Sequence, residues 1–187
     1  MTNEKSLFIV SGPAGVGKDS VVQALRDAHT EIDRSITATT RAPRPGEVHG
    51  VNYYYMTVPE FEKLRDENGV LESNFFCGNY YGTLKSDVEM RLAAGKVVVL
   101  VIDVNGAANI KKMCPEATTV FICPPSAEEL EKRLRGRGTE TEEKILERLA
   151  QSKAELALAD TYDERLVNHT IADCAEQLYR LIQARRA

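Results

Sequence analysis

Apolar positions along the chain alternate between two patterns. Predominantly apolar stretches of four to seven residues read as buried parallel strands: Leu7 to Val10, Val97 to Asp103 (VVVLVID) and Thr119 to Cys123. Between them, apolar residues recur at helical spacing. Val21, Val22 and Leu25 share one face of a helix that starts at Asp19 and ends near Ala28. Leu130 and Leu134 do the same in a helix opened by Ser126-Ala127-Glu128-Glu129. Ile145, Leu149, Ser152 and Leu156 form a stripe on a longer helix, and Ala175, Leu178, Leu181 and Ile182 on a closing one, Ala172 to Arg185. A short helix spans Asn105 to Met113, and Arg165 to Asn168 is a last short strand.

The stretch from Arg34 to about Met90 breaks this rhythm. Ile32 to Thr40 and Val51 to Met56 are strand-like, and Val70 to Phe76 is a further strand. Thr57-Val58-Pro59-Glu60 starts a helix, with a Thr cap, Pro in the first turn and Glu three residues after the cap, and Asn68-Gly69 stops it. Gly78 to Thr83 reads as a turn carrying two tyrosines. Ser86 to Ala94 is helical, with Gly95 as its stop. The predicted order is β-α, an insertion, then β-α-β-α-α-β-α. That is an α/β fold with a parallel sheet covered by helices on both faces.

The first strand runs into Ser11-Gly12-Pro13-Ala14-Gly15-Val16-Gly17-Lys18 and then a helix. Strand, glycine loop and helix is the context in which G-x-x-x-x-G-K holds phosphate. Glycines let successive N–H groups converge, the helix N-terminus adds partial positive charge, and Lys18 adds a full one. The residue after the lysine is ordinarily Ser or Thr, whose hydroxyl meets Mg²⁺. Here it is Asp19, followed by Ser20. A carboxylate there is either a metal-side group or an outward-facing helix-start acid.

Two groups of arginines suggest two phosphorylated ligands. Arg41 and Arg44 sit on the stiff loop Ala42-Pro43-Arg44-Pro45-Gly46, which suits a fixed clamp. Arg133, Arg137 and Arg148 surround the hinge-like Arg135 to Thr141, which suits a lid that closes on transferring charge. Asp103 ends a buried strand at the carboxyl edge, where open α/β sheets bind ligands.

Composition narrows the classes. The chain has 187 residues, 43% hydrophobic and 28% charged, with net charge −4. That suits one soluble domain with insertions, and argues against a broad nucleic-acid footprint. No apolar run is long enough to span a bilayer, and the N-terminus lacks a signal-peptide pattern, so a cytoplasmic protein is expected. Cys77, Cys114, Cys123 and Cys174 are scattered, which favours neither zinc nor a disulfide framework. His29, His49 and His169 lie apart and make no catalytic cluster.

Over nearly its whole length the chain resembles guanylate kinase. The resemblance is carried by GPAGVGK, TTRAPRPGEVHGVNYYY, GNYYGT, IDVNGA and PPSAEELEKRLRGRGTETEEKILERL. It implies a P-loop core with lid (1–33 and 91–187, lid about 135–150) and an inserted small α+β GMP-binding module (34–90). It also implies Mg²⁺-dependent transfer of the ATP γ-phosphoryl to GMP; a monomer or small homo-oligomer is expected. By position, Arg41, Arg44, Tyr53 and Tyr81 are expected at the GMP phosphate, and Thr37, Glu72, Thr83 and Asp103 at guanine. ATP is expected at Gly12, Pro13, Ala14, Gly15, Val16, Gly17, Lys18, Asp19, Ser20, Arg133, Arg137 and Asn168, with Lys18, Arg44, Arg137 and Arg148 catalytic.

The family's acid two residues before Asp103 is here Val101, so Asp19 is expected to take over in holding a water of the Mg²⁺ shell. The GKDS loop also looks like that of ribose 1,5-bisphosphate phosphokinases. A third reading is a guanylate-kinase-like domain that binds protein partners, although such domains commonly lose the intact loop and lid arginines.

Overall fold

The computed structural model describes residues 4–136 and 141–186. Its larger sheet is parallel, with strands β1 (Leu7–Ser11), β2 (Ile32–Arg34), β7 (Val97–Val101), β8 (Thr118–Cys123) and β9 (Glu164–Val167) in the order β2-β7-β1-β8-β9. Alternate residues of the central strand face opposite ways, because side chains in a strand alternate. Phe8 and Val10 join Val21, Val22 and Leu25 of α1 (Lys18–Ala28) and Leu130 and Leu134 of α5 (Ala127–Arg135). Cys174, Leu178 and Ile182 of α7 (Ile171–Arg186) complete that layer. Leu7 and Ile9 pack on the other face, against Val88 and Leu92 of α3 (Lys85–Ala93) and Ala107 and Ile110 of α4 (Val104–Met113). The apolar runs are continuous because both faces of the sheet are covered.

The second sheet is built from β3 (Thr37–Thr39), β4 (Tyr54–Tyr55), β5 (Val70–Phe76) and β6 (Asn79–Leu84), in the order β4-β3-β6-β5. Two of its stretches differ from expectation. The expected turn over Gly78 to Thr83 is a central strand, β6, which pairs with both β3 and β5. The turn itself is only Cys77-Gly78, both at positive φ, between the paired Phe76 and Asn79. A two-residue hairpin of this kind matches the twist of its strands, so no further turn residues are needed. The strand-like Val51 to Met56 shortens to Tyr54–Tyr55, because Val48 to Tyr53 coil into bonded turns, with Gly50 N–H donating to Tyr53 O at 2.9 Å.

Helix α2 (Val58–Asp66) begins with the expected box. Thr57 N–H donates to Glu60 Oε2 at 2.6 Å, and Glu60 N–H donates to Thr57 Oγ1 at 3.4 Å. Phe61 on its inner face is fully buried and stacks on Tyr80 at 5.1 Å. At the end of α3, Gly95 has φ 76, and Lys96 N–H reaches back to Arg91 O at 3.1 Å.

The chain crosses between the sheets twice, after β2 and through α3, and one buried carboxylate ties the crossings together. Asp87 accepts from Ile36 N–H at 3.0 Å, from Tyr54 Oη at 2.8 Å, and from Arg91 Nε and Nη2 at 2.9 and 3.0 Å. Arg91 also pairs with Asp33. A buried charge with this many partners holds its neighbours in one arrangement.

Helix α6 (Glu142–Leu156) departs from its expected stripe. Ile145 and Ser152 are buried as the spacing predicts, but Glu155 is buried while Leu149 and Leu156 are half-buried. Among the described residues, no helix is long and apolar enough to cross a membrane.

Candidate active site

The glycine loop leaves the end of β1, the middle strand, where β7 lies on one side and β8 on the other. Two glycines are demanded by their surroundings. Gly12 has φ +139, and a Cβ there would come within 2.3 Å of Ile122 O. Gly17 has φ +96, and a Cβ there would lie 2.7 Å from the Asn168 amide.

Asn168 is 1% exposed, and its Nδ2 donates to Val16 O at 2.7 Å. Arg133 donates to Val16 O at 3.5 Å and to Asn168 O at 3.2 Å, and its Nε pairs with Glu129 at 3.1 Å. Both residues therefore brace the loop backbone from outside. Lys18 Nζ donates to Gly12 O at 2.5 Å and Pro13 O at 3.0 Å, so its charge lies over the loop. Asp19 and Ser20, in the first turn of α1, are on its accessible side, and the Asp19 carboxylate, 72% exposed, pairs with Arg34 at 2.8 Å.

The arginine corner carries a counter-ion that sequence reasoning passed over. Arg41 Nη2 holds both oxygens of Glu47, at 2.9 and 3.0 Å, and its Nη1 donates to Ala42 O at 2.8 Å. The guanidinium lies 5.3 Å from the Tyr53 ring centre and 5.9 Å from that of Tyr55. Glu47 also accepts from Arg44 N–H at 2.7 Å and Tyr55 Oη at 2.8 Å. The Arg41 guanidinium holds the Glu47 carboxyl at about 2, while Arg41 itself is pushed upward by the same bond. Arg44 is exposed. The available signal was the acid inside the P-R-P-G-E block, at the right distance to fold back on Arg41.

The second sheet gathers the expected base readers by register. Thr37 pairs with Thr83, and Glu72 lies opposite Thr83 on the far side of β6. A cavity of about 250 Å³ is lined by Thr37, Glu72, Asn74, Tyr81, Val101 and Asp103, among others. Tyr81 sits edge-on to Tyr53 at 6.3 Å. Thr83 Oγ1 donates to Glu72 Oε1 at 2.8 Å. Burial raises the Glu72 carboxyl to about 7, against the pull of Thr83 and with help from the charge of Asp103.

Asp103, read as a strand end, proves to be the N-cap of α4, with Oδ1 accepting from Gly106 N–H at 2.8 Å. Its other oxygen accepts from Asn74 at 2.9 Å, which links the two sheets across the cavity. Asn74 was missed because nothing distinguishes an exposed strand amide in sequence.

A second cavity, about 560 Å³, lies on the α1 side, lined by Asp19, Gln23, Arg34, Thr37 and Tyr53, among others. Thr37 is common to both cavities. The first turn of α1 and the expected base readers thus share a wall at Thr37.

Glu155 was also missed, because its helix stripe seemed to place Leu156 inward. It is buried and accepts from Gln151 at 2.8 Å. Burial raises its carboxyl, Lys18 pulls the other way, and the Asp103 charge adds to the rise. Arg148 is half-buried on α6, and Arg137 falls outside the described residues.

Comparison with known proteins identifies the family. The sequence model of the guanylate kinase family matches residues 4–185. The chain is 48% identical to the guanylate kinase of Gloeobacter violaceus over 94% of its own length and 86% of that protein. It is 47% identical to that of Thermobifida fusca, over 96% and 92%. A crystal structure of guanylate kinase from Anaplasma phagocytophilum superposes with a TM-score of 0.71 at 29% identity, covering 95% of this chain and 84% of that one. A shikimate kinase from Bacteroides thetaiotaomicron, at 15% identity and TM-score 0.51, covers 95% of this chain and 98% of its own, and shares the fold alone. A loop that can cradle phosphate, a half-buried carboxylate at a base-sized cavity and this match over almost the whole sequence lead to one conclusion: the chain belongs to the guanylate kinase family, and is a nucleoside monophosphate kinase.

Proposed function

We propose that the chain transfers the γ-phosphoryl group of ATP to GMP, giving ADP and GDP. An oxygen of the GMP phosphate bonds to the γ-phosphorus as the bond to the β–γ bridging oxygen breaks, and ADP leaves with that oxygen. The observation that carries this reading is the shared wall at Thr37, where the α1-side cavity meets the one holding Glu72.

Guanine offers N1–H and N2–H₂ as adjacent donors, and one carboxylate accepts both. Glu72 fills that role, with Thr83, Asp103 and Thr37 around the base. Adenine has an acceptor at N1 and meets the carboxylate unfavourably. An unpaired buried polar group costs about 1–3 kcal/mol, or one to two decades of selectivity. Arg41, Arg44, Tyr53 and Tyr81 hold the GMP phosphate. The loop from Gly12 to Gly17, with Lys18, Asp19 and Ser20, holds the ATP phosphates. Arg133 and Asn168 support that site, and both grip the Val16 carbonyl. Arg137 and Arg148 belong to the lid and meet the migrating negative charge.

The family implies Mg²⁺. The described residues hold no group of three or more acids, histidines or cysteines that would chelate a metal. That suits an ion carried by the ATP phosphates and steadied through water. Asp19 and Ser20 would hold its shell, and the ion would neutralise phosphate charge.

The test is a panel of nucleoside monophosphates and ribose 1,5-bisphosphate with ATP and Mg²⁺, read as ADP release. GMP should give the fastest rate by about tenfold or more over AMP. A rate with ribose 1,5-bisphosphate and none with GMP would overturn the proposal.

A further inference from the structure

The loop carries an acid where a hydroxyl is ordinarily found, and that acid has a specific partner. Asp19 Oδ1 lies 2.8 Å from Nη2 of Arg34, the last residue of β2. The neighbouring cations are committed elsewhere: Arg91 to Asp87 and Asp33, and Arg26 to Asp33 at 3.6 Å. Arg34 and Asp19 both line the α1-side cavity, together with Thr37 and Tyr53. The Asp19 side chain is 72% exposed, against 30% for Arg34. An ion pair this exposed adds little to folding, so stability does not explain its place beside the loop.

We propose that Arg34 is a positioning residue for phosphoryl transfer, acting through Asp19: it holds and neutralises that carboxylate so that the loop still accepts a polyphosphate. This rests on the reading of the loop as the ATP phosphate site. Lys18 and Asp19 together sum to no net charge beside the phosphates. Adding Arg34 restores one positive charge, the value that a lysine followed by a neutral serine has on its own. Arg34 also draws the carboxylate toward the cavity wall formed by β2. The acid at position 19 and the arginine at position 34 therefore work as a unit, although they are far apart in sequence.

The experiment is a double-mutant cycle of the wild type, Arg34→Leu, Asp19→Ser and the double variant, with Arg34→Lys as the conservative control. ATP binding is measured by calorimetry in EDTA, which separates charge compensation from any Mg²⁺ role of Asp19. Arg34→Leu should weaken ATP by about two- to fivefold when Asp19 is present, and much less in the Asp19→Ser background. The Lys variant should recover most of the loss, and raised salt should shrink the effect. GMP affinity, measured alongside, should move less than about twofold, which a general loss of structure would not allow. An equal loss in both backgrounds, or no loss in either, overturns the proposal. A wild-type protein that binds GMP but no ATP would instead sink the assignment of the loop, and this proposal with it.

Discussion

Thr83 and Glu72 face each other across the β5–β6 pair, and the Thr83 hydroxyl donates to Glu72 Oε1 at 2.8 Å. Glu72 Oε2 is also close to α4, since a Cβ on Gly106 would come within 2.9 Å of it. The carboxylate is thus confined from two sides, and its protonation state decides how many hydrogen bonds it can accept.

The Glu72 carboxyl titrates at about 7 in the protein, well above its ordinary 4.5. Only the ionised form accepts from both guanine donors, so GMP affinity should rise with pH through about 7, approaching tenfold per unit on the acid side. Stability runs the other way. A raised carboxyl favours the folded state below about 4.5, and that contribution is lost as pH rises through about 7. Glu72→Gln should therefore weaken GMP at pH 8 while raising the melting temperature there. Calorimetry and thermal unfolding across about pH 5.5 to 8.5, on either side of the titration, check both signs.

Glu47 orients the Arg41 guanidinium with two hydrogen bonds. Its carboxyl is held at about 2, mainly by Arg41, so the pair stays intact well below the ordinary carboxylate range. Glu47→Gln should raise KM for GMP about three- to thirtyfold, with KM for ATP moving little, in steady-state assays that vary each substrate. Equal changes in both constants would show that the residue serves the fold rather than the arginine corner.

Asn168 supplies the Val16 carbonyl with a 2.7 Å hydrogen bond inside the protein. Asn168→Ala leaves that carbonyl poorly satisfied, at about 1–3 kcal/mol. The melting temperature should fall by roughly 3–10 °C. ATP binding should weaken and GMP binding hold, because the bond belongs to the loop.

Asp87 joins both chain crossings through Ile36, Tyr54 and Arg91. Asp87→Ala leaves the Arg91 guanidinium, only 14% exposed, without the more deeply buried of its two counter-ions. Urea unfolding should register a loss of about 3–5 kcal/mol. A loss under about 1 kcal/mol would mean that Asp33 alone satisfies Arg91.

Much of this protein was legible from residue order. Local rules act over a few residues, so the apolar runs announced β1, β7 and β8, the Thr57 box announced α2, and the glycine spacing announced the loop between β1 and α1. The quoted motifs pointed to the family, which the comparisons bear out. Pairing across long separations was not legible. Only the fold turned most of the Gly78 to Thr83 stretch into an inner strand of a sheet, because a strand there is defined by its partners β3 and β5. Only the fold set Arg34 against Asp19, Asn74 against Asp103 and Glu155 near Lys18. Charges and hydrogen bonds depend on distance in space, and chain order does not contain that distance until the sheets have assembled.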